Sequence, residues 1–253
     1  MRHVPTLVRR ELAAYFLGPM AFLILLAFLA IAWVNFWELL NQLSRNTISL
    51  SSRFDPLNAY ISGSFSFWLG VLIAVPAVTM RLFAEEKRSG TIETLLTTPV
   101  SETEVVTAKW IAGVVMYLML LLPFAMHLPF LYHQGHYPFD LGPLISLGIG
   151  LTTLGMMFVS IGLLFSASTK NQIVAAVWTF VTIFLMILSY MVYQSAAYRK
   201  AAWAEAAQFV SVLHQVNEFG AGRLDLRYLT LHLSVTAFLL FLTVKVVQSR
   251  REA

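Results

Sequence analysis

Residues 144–165 read LISLGIGLTTLGMMFVSIGLLF, an unbroken apolar run with no Asp, Glu, Lys or Arg. At about 1.5 Å of rise per residue, a helix of this length crosses the roughly 30 Å hydrocarbon core of a bilayer. The apolar residues are continuous rather than alternating, which favours a helix over a barrel strand. Gly148, Gly150, Gly155 and Gly162 in the same run predict close approach to a neighbouring helix.

Working outward, five more runs of this kind occupy residues 17–37, 65–83, 110–132, 173–193 and 228–247. The predicted fold class is therefore all-α: a polytopic membrane protein with six transmembrane helices, forming a single transmembrane domain over residues 1–253. Pro76, Pro123 and Pro129 lie inside spans and should kink them. Composition agrees, because 58% of the chain is hydrophobic and only 12% charged. A soluble domain carries about 25% charged residues, and no soluble fold of this size hides so much apolar surface. With no cysteine there is no disulfide, no thiolate metal site and no cysteine nucleophile. The first run carries a small-x-small pair, Ala30 and Ala32, but sixteen residues precede the run and it continues to Trp37. It reads as a span, not a cleaved signal.

Orientation follows from Lys and Arg. The N-terminus, the loops after spans two and four, and the C-terminus together hold eleven: Arg2, Arg9, Arg10, Arg81, Lys87, Arg88, Lys109, Lys170, Lys245, Arg250 and Arg251. The remaining segments hold six. Both termini are therefore expected in the cytoplasm of a bacterial cell, with the chain multi-pass in its inner membrane. No segment combines a dense basic patch with interleaved aromatics, so nucleic acid is not an expected partner.

Three segments outside the spans carry pattern. In residues 1–16, Arg9, Arg10 and Glu11 alternate with Leu7, Leu12 and Phe16, which predicts an interfacial helix on the cytoplasmic leaflet, its arginines among anionic lipid headgroups. A plain basic flank fits the same residues. The external segment 194–227 has helix formers over 196–212, then a Gly220-Ala221-Gly222 break. One or two short helices dipping into the outer leaflet are expected there, because Trp203, Phe209 and Val210 need cover.

The third segment, Arg81 to Lys109, is the most polar and the best patterned. The second span should continue through Glu85, Glu86, Lys87 and Arg88 to a stop at Gly90. Thr91 can cap a short helix with Ile92, Leu95 and Leu96 on one face and Glu93 beside them, closed by Pro99. Ser101 and Glu104 then form a capping box, flanked by Val100 and Val105 at the hydrophobic-staple positions. Such a helix either lies on the membrane or docks a cytoplasmic protein.

The run from Phe83 to Val100 resembles the signature loop of ABC-2-type transporter permeases. In that family an acidic pair precedes Gly-Thr, a Glu, a Leu-Leu pair and a Pro, matched here by Glu85, Glu86, Gly90, Thr91, Glu93, Leu95, Leu96 and Pro99. Arg10-Glu11-Leu12, with Tyr15-Phe16 and Pro19, is similar to the family's opening helix. The stretch from Phe219 to Tyr228 resembles the segment before its last span, especially in the gliding-motility-associated branch. The resemblance implies a permease subunit that dimerises, docks a cytoplasmic ABC ATPase on the short coupling helix, and works with membrane lipid and an extracytoplasmic accessory protein. It also implies ATP and Mg in the partner and no cofactor in this chain.

The chain's own residues agree that the motor lies elsewhere. A P-loop needs Gly directly before Lys, yet the five lysines follow Glu86, Ala108, Thr169, Arg199 and Val244. His133-x-x-His136 with Asp140 has the spacing of a weak outer metal site, although loop histidines explain it more simply. His127 is expected to hydrogen-bond a neighbouring helix. Asn35 and Glu38 sit near the outer end of the first span, within reach of water, and the span centres hold almost no charge. That argues against an ion-coupled carrier. The alternative function is an intramembrane enzyme or a scaffold that moves no substrate.

Overall fold

The computed structural model describes residues 3–46, 58–91, 100–134, 141–198 and 202–249. Among these, every regular element is helical. They are α1 (Val4–Leu17), α2 (Pro19–Asn46), a π-helical turn (Asn58–Ser62), α3 (Phe65–Thr79), α4 (Arg81–Ser89), α5 (Glu102–Gln134), α6 (Leu141–Ser168), α7 (Gln172–Tyr198), α8 (Ala204–Val210), α9 (Val212–Gly220) and α10 (Leu226–Gln248).

Six helical stretches are long and apolar enough to cross a membrane: Pro19–Asn41, Phe65–Ser89, Glu102–Phe130, Leu141–Ser168, Gln172–Ser195 and Leu226–Gln248. Each contains one of the runs seen in the sequence, apart from the two residues before Pro19 and the two after Phe130. The chain is a multi-pass membrane protein. Helices α3 and α6 are the most enclosed, with 72% and 61% of their apolar windows buried, against 17% for α7 and 22% for α10. The bundle is therefore built around α3 and α6, with α2, α5, α7 and α10 outside them.

The α6 run that announces the fold is also where the packing is tightest. A β-carbon on Gly155 would collide with the Tyr117 ring, one on Gly150 with the Phe219 ring, and one on Gly162 with Thr79. These glycines admit side chains from α5, α9 and α3. Gly148 faces open space, so three of the four expected approaches exist. Tyr117 completes its contact by donating its hydroxyl to the Leu151 carbonyl at 3.2 Å.

The kink expected from Pro76 takes the form of a break at Met80, between α3 and α4. The Ser166 hydroxyl of α6 repairs it. It accepts the Phe83 and Ala84 amides at 3.0 and 3.1 Å and donates to the Met80 carbonyl at 2.9 Å. A side chain thus replaces backbone partners that an interrupted helix leaves open.

The segment after α7 forms two short helices, as the sequence allowed, but its helical start belongs to α7, which runs on to Tyr198. Helix α9 is set into the bundle, with Val212, Gln215, Val216 and Phe219 all buried. The turn after it uses Gly222 at φ 78°, a conformation that disfavours a side chain.

Candidate functional site

The patterned loop begins on α4. Its last turn carries Lys87 and Arg88, where positive charge complements the helix dipole, and Gly90 at φ 74° ends it in a left-handed cap. Arg88, Ser89, Gly90 and Thr91 are exposed. The Thr91 hydroxyl turns back, 2.9 Å from Ser89 Oγ. Ile92, Glu93, Leu95, Leu96 and Pro99 lie outside the described residues. Beyond them the capping box is present in both directions: the Glu104 amide donates to Ser101 Oγ and the Ser101 amide to Glu104 Oε2, each at 3.3 Å. The loop's two ends are thus firmly terminated helices.

The acidic pair at the start of the loop does two different things. Glu85 pairs within its own helix, accepting from Arg81 Nε at 2.8 Å. Glu86 reaches across to α5, where Lys109 Nζ lies 2.8 Å from its Oε1. Lys109 also holds Glu11 of α1 at 3.0 Å, and Arg10 lies 2.8 Å from Glu11 and 3.6 Å from Glu86. Three helices far apart in sequence meet on one ammonium group. Lys109 is only 1% exposed and also lies over the Phe83 ring, 5.2 Å from its centroid. Arg10, Arg81 and Lys109 balance Glu11, Glu85 and Glu86, so the cluster is neutral as a whole.

The cluster surrounds a pocket of about 190 Å³ whose walls include Ala14, Tyr15 and Leu82 beside the ionic groups. Tyr15 donates its hydroxyl to the Val78 carbonyl at 2.8 Å, next to the α3–α4 break. Burial, reinforced by Glu11, pushes the Tyr15 hydroxyl well above its usual pKa, so it remains a donor. Helix α1 is thus fastened to the second span by Tyr15 and to the third by Glu11.

The matching family model, ABC-2 family transporter protein, covers residues 15–247. This chain belongs to the ABC-2 transporter family. A search of curated proteins finds no match. Membership in the ABC-2 family makes the chain a permease component of an ABC transporter, a kind of membrane subunit that is ordinarily non-catalytic and works with an ABC ATPase and a second permease copy.

Within this ABC-2 chain the structure redistributes the residues singled out in the sequence. Lys87, expected on the docking surface, is buried and donates to the Ala167 carbonyl at the end of α6. Arg10 is exposed, and its guanidinium lies beside Glu11 and Glu86. Arg9 remains exposed. Asn35, expected within reach of water, is 3% exposed and accepts the Ser64 hydroxyl at 2.6 Å. Glu38 is exposed. The partner of His127 is the Tyr60 hydroxyl of the π turn, 2.9 Å from Nδ1, with Phe36 stacked on the ring. His136 and Asp140 lie outside the described residues, as does the side chain of His133.

Sequence reasoning counted Arg81 and Lys109 only as topogenic charges, named Tyr15 only within the opening-helix resemblance, and passed over Ser166. A lysine eight residues after a capping serine, one position before an apolar span, was the available signal for Lys109. Its partners were not inferable, because Glu11 and Glu86 lie 98 and 23 residues away.

Proposed function

We propose that this chain dimerises, docks a cytoplasmic ABC ATPase on the loop spanning residues 88–99, and passes nucleotide-driven motion into the membrane through the Lys109 cluster. The observation that carries this reading is the joint hold of Lys109 on Glu86 and Glu11. A push on the loop meets α4 first, and α4 cannot shift without either dragging α1 and α5 or breaking buried ion pairs. Arg88, Gly90 and Thr91, with Ile92, Glu93, Leu95, Leu96 and Pro99, form the docking surface. Glu85, Glu86 and Lys87 anchor that surface from inside. ATP and Mg belong to the partner, whose nucleotide states bias the bundle only as far as they bind its two arrangements unequally.

In this reading the charge bias puts both termini in the cytoplasm of a bacterial inner membrane, α1 lies at the interface as an entry helix, and residues 1–253 act as one transmembrane domain. The stretch from Phe219 to Tyr228 favours the gliding-motility-associated branch, in which work is delivered to an extracytoplasmic accessory protein or to exported cargo.

Co-purification from membranes tests the proposal. The expected result is a cytoplasmic ABC ATPase that accompanies the chain, is lost on Leu95→Glu, and stays bound but uncoupled in Glu86→Gln. If no ATPase accompanies the chain, and both variants leave membrane ATPase activity unchanged, the scaffold or intramembrane-enzyme alternative takes its place.

A further inference from the structure

The ionic cluster leaves one cation of α1 unspent. Among the described residues Arg9 has no carboxylate and no hydrogen-bond partner, whereas its neighbour Arg10 is held by Glu11 and Glu86. Arg9 stands on the edge of a second cavity, an open groove of about 660 Å³ between α1 and α5. Val4, Val8 and Leu12 form one wall and Thr107 and Ile111 the other, with Pro5 beside them. The first three share a helix face at i, i+4 and i+8, and the other two are spaced i, i+4. The groove is overwhelmingly apolar. Ile111 belongs to the third stretch long and apolar enough to cross a membrane, and the exposed Arg9 marks the rim of the groove.

We propose that this groove is a binding site for an anionic phospholipid of the adjacent leaflet, with an acyl chain against Val8, Leu12 and Ile111 and the phosphate on Arg9. The volume falls within the roughly 300–1,000 Å³ of sites that hold small molecules. Glu11 and Glu86 are held by Lys109, and none of the residues lining the groove is a carboxylate. The rim therefore carries a cation without a paired carboxylate above an apolar floor, the complement of a headgroup on its chain. A second copy of the protein fits less well, because among the described residues lining this groove there is no carboxylate to offer a partner's Arg9 in return.

The test is native mass spectrometry of the full-length chain released from nanodiscs of equal parts phosphatidylglycerol and phosphatidylcholine with matched acyl chains. Phosphatidylglycerol should be retained in preference. Arg9→Ala should lower that retention by about fivefold, the share expected of one basic residue at an anionic surface. Arg9→Lys should keep most of it, and Val8→Trp, which fills the groove, should reduce both lipids. Equal retention of the two lipids, or a preference indifferent to Arg9→Ala, means an adventitious additive only and overturns the proposal. A Val8→Trp protein that changes oligomeric mass while keeping its lipids places a second copy in the groove and overturns it as well. The site does not depend on ATPase docking. Loss of the lipid preference with the ATPase still bound removes this site alone, and the opposite result removes the coupling reading alone.

Discussion

At the α1 end of the bundle, Lys109 gathers Glu11 and Glu86 into a buried ionic knot. At the α9 end, His232 joins three elements with neutral groups only. Its Nε2 lies 2.9 Å from Gln215 Oε1, its Nδ1 3.1 Å from Thr153 Oγ1, and Gln215 donates onward to the Phe209 carbonyl at 2.6 Å. His232 and Gln215 are as thoroughly buried as Lys109. The difference lies in the partners. The side chains of Glu11 and Glu86 keep 12% and 22% of their exposure, so the desolvation cost of the ions is only partly incurred. The two ends show how a membrane bundle can be closed either by charge or by neutral hydrogen bonds. The ionic closure can also exchange partners, because Arg10 already stands beside both carboxylates.

Removing the centre of each closure should separate them. Lys109→Met removes the buried cation between Glu11 and Glu86 and leaves only the half-exposed Arg10 to balance them, and should destabilise the protein by about 3 kcal/mol, read as a lowered thermal midpoint in detergent. Adding Glu11→Gln and Glu86→Gln to that variant should restore most of the loss. If the single variant melts like the parent, the knot is not what closes this end. Gln215→Leu should have a smaller effect, about 1–2 kcal/mol, because it strands one neutral ring nitrogen and one carbonyl. Pairing it with His232→Leu should recover part of the loss in the same melting assay. An equal or larger effect than Lys109→Met would reverse the ranking of the two ends.

The smallest effect is a pH dependence at the α9 end. Burial holds the pKa of His214 below the usual imidazole value of about 6.5, with Glu218 opposing the shift and Arg223 adding to it. The unfolded chain therefore binds a proton more readily than the native state. The contribution of a neutral His214 is complete above about pH 6.5 and is lost as the pH falls towards its native pKa. Melting points should drop slightly between pH 7 and 5, and His214→Gln should flatten that part of the slope. The histidine contacts Gln208 through Nε2 at 2.8 Å, so glutamine is the substitution closest in chemistry.

Much of this molecule is legible in one dimension because its solvent is lipid. Runs such as Leu144 to Phe165 announce a spanning helix without reference to any neighbour, since an exposed backbone in hydrocarbon must satisfy itself locally. Terminators are local as well, which is why the Gly90 cap and the Ser101–Glu104 box could be placed from residue type and spacing. Glycine spacing on α6 indicated close packing but not its partners. That Tyr117, Phe219 and Thr79 fill those notches depends on how α5, α9 and α3 are arranged.

The sequence by itself determined six spans, their ends, the polar loop and the absence of a P-loop lysine, all of which follow from local hydrophobicity and turn chemistry. Only the tertiary structure decided that Glu86 serves α5 while Glu85 serves its own helix. It also turned Lys87 inward, set Arg10 beside two carboxylates, left Arg9 alone beside an apolar groove, and set Ser166 over the break at Met80. Charge and hydroxyl partners act over a few ångströms of space and are indifferent to distance along the chain. They become readable only once helices from distant parts of the sequence have been brought side by side.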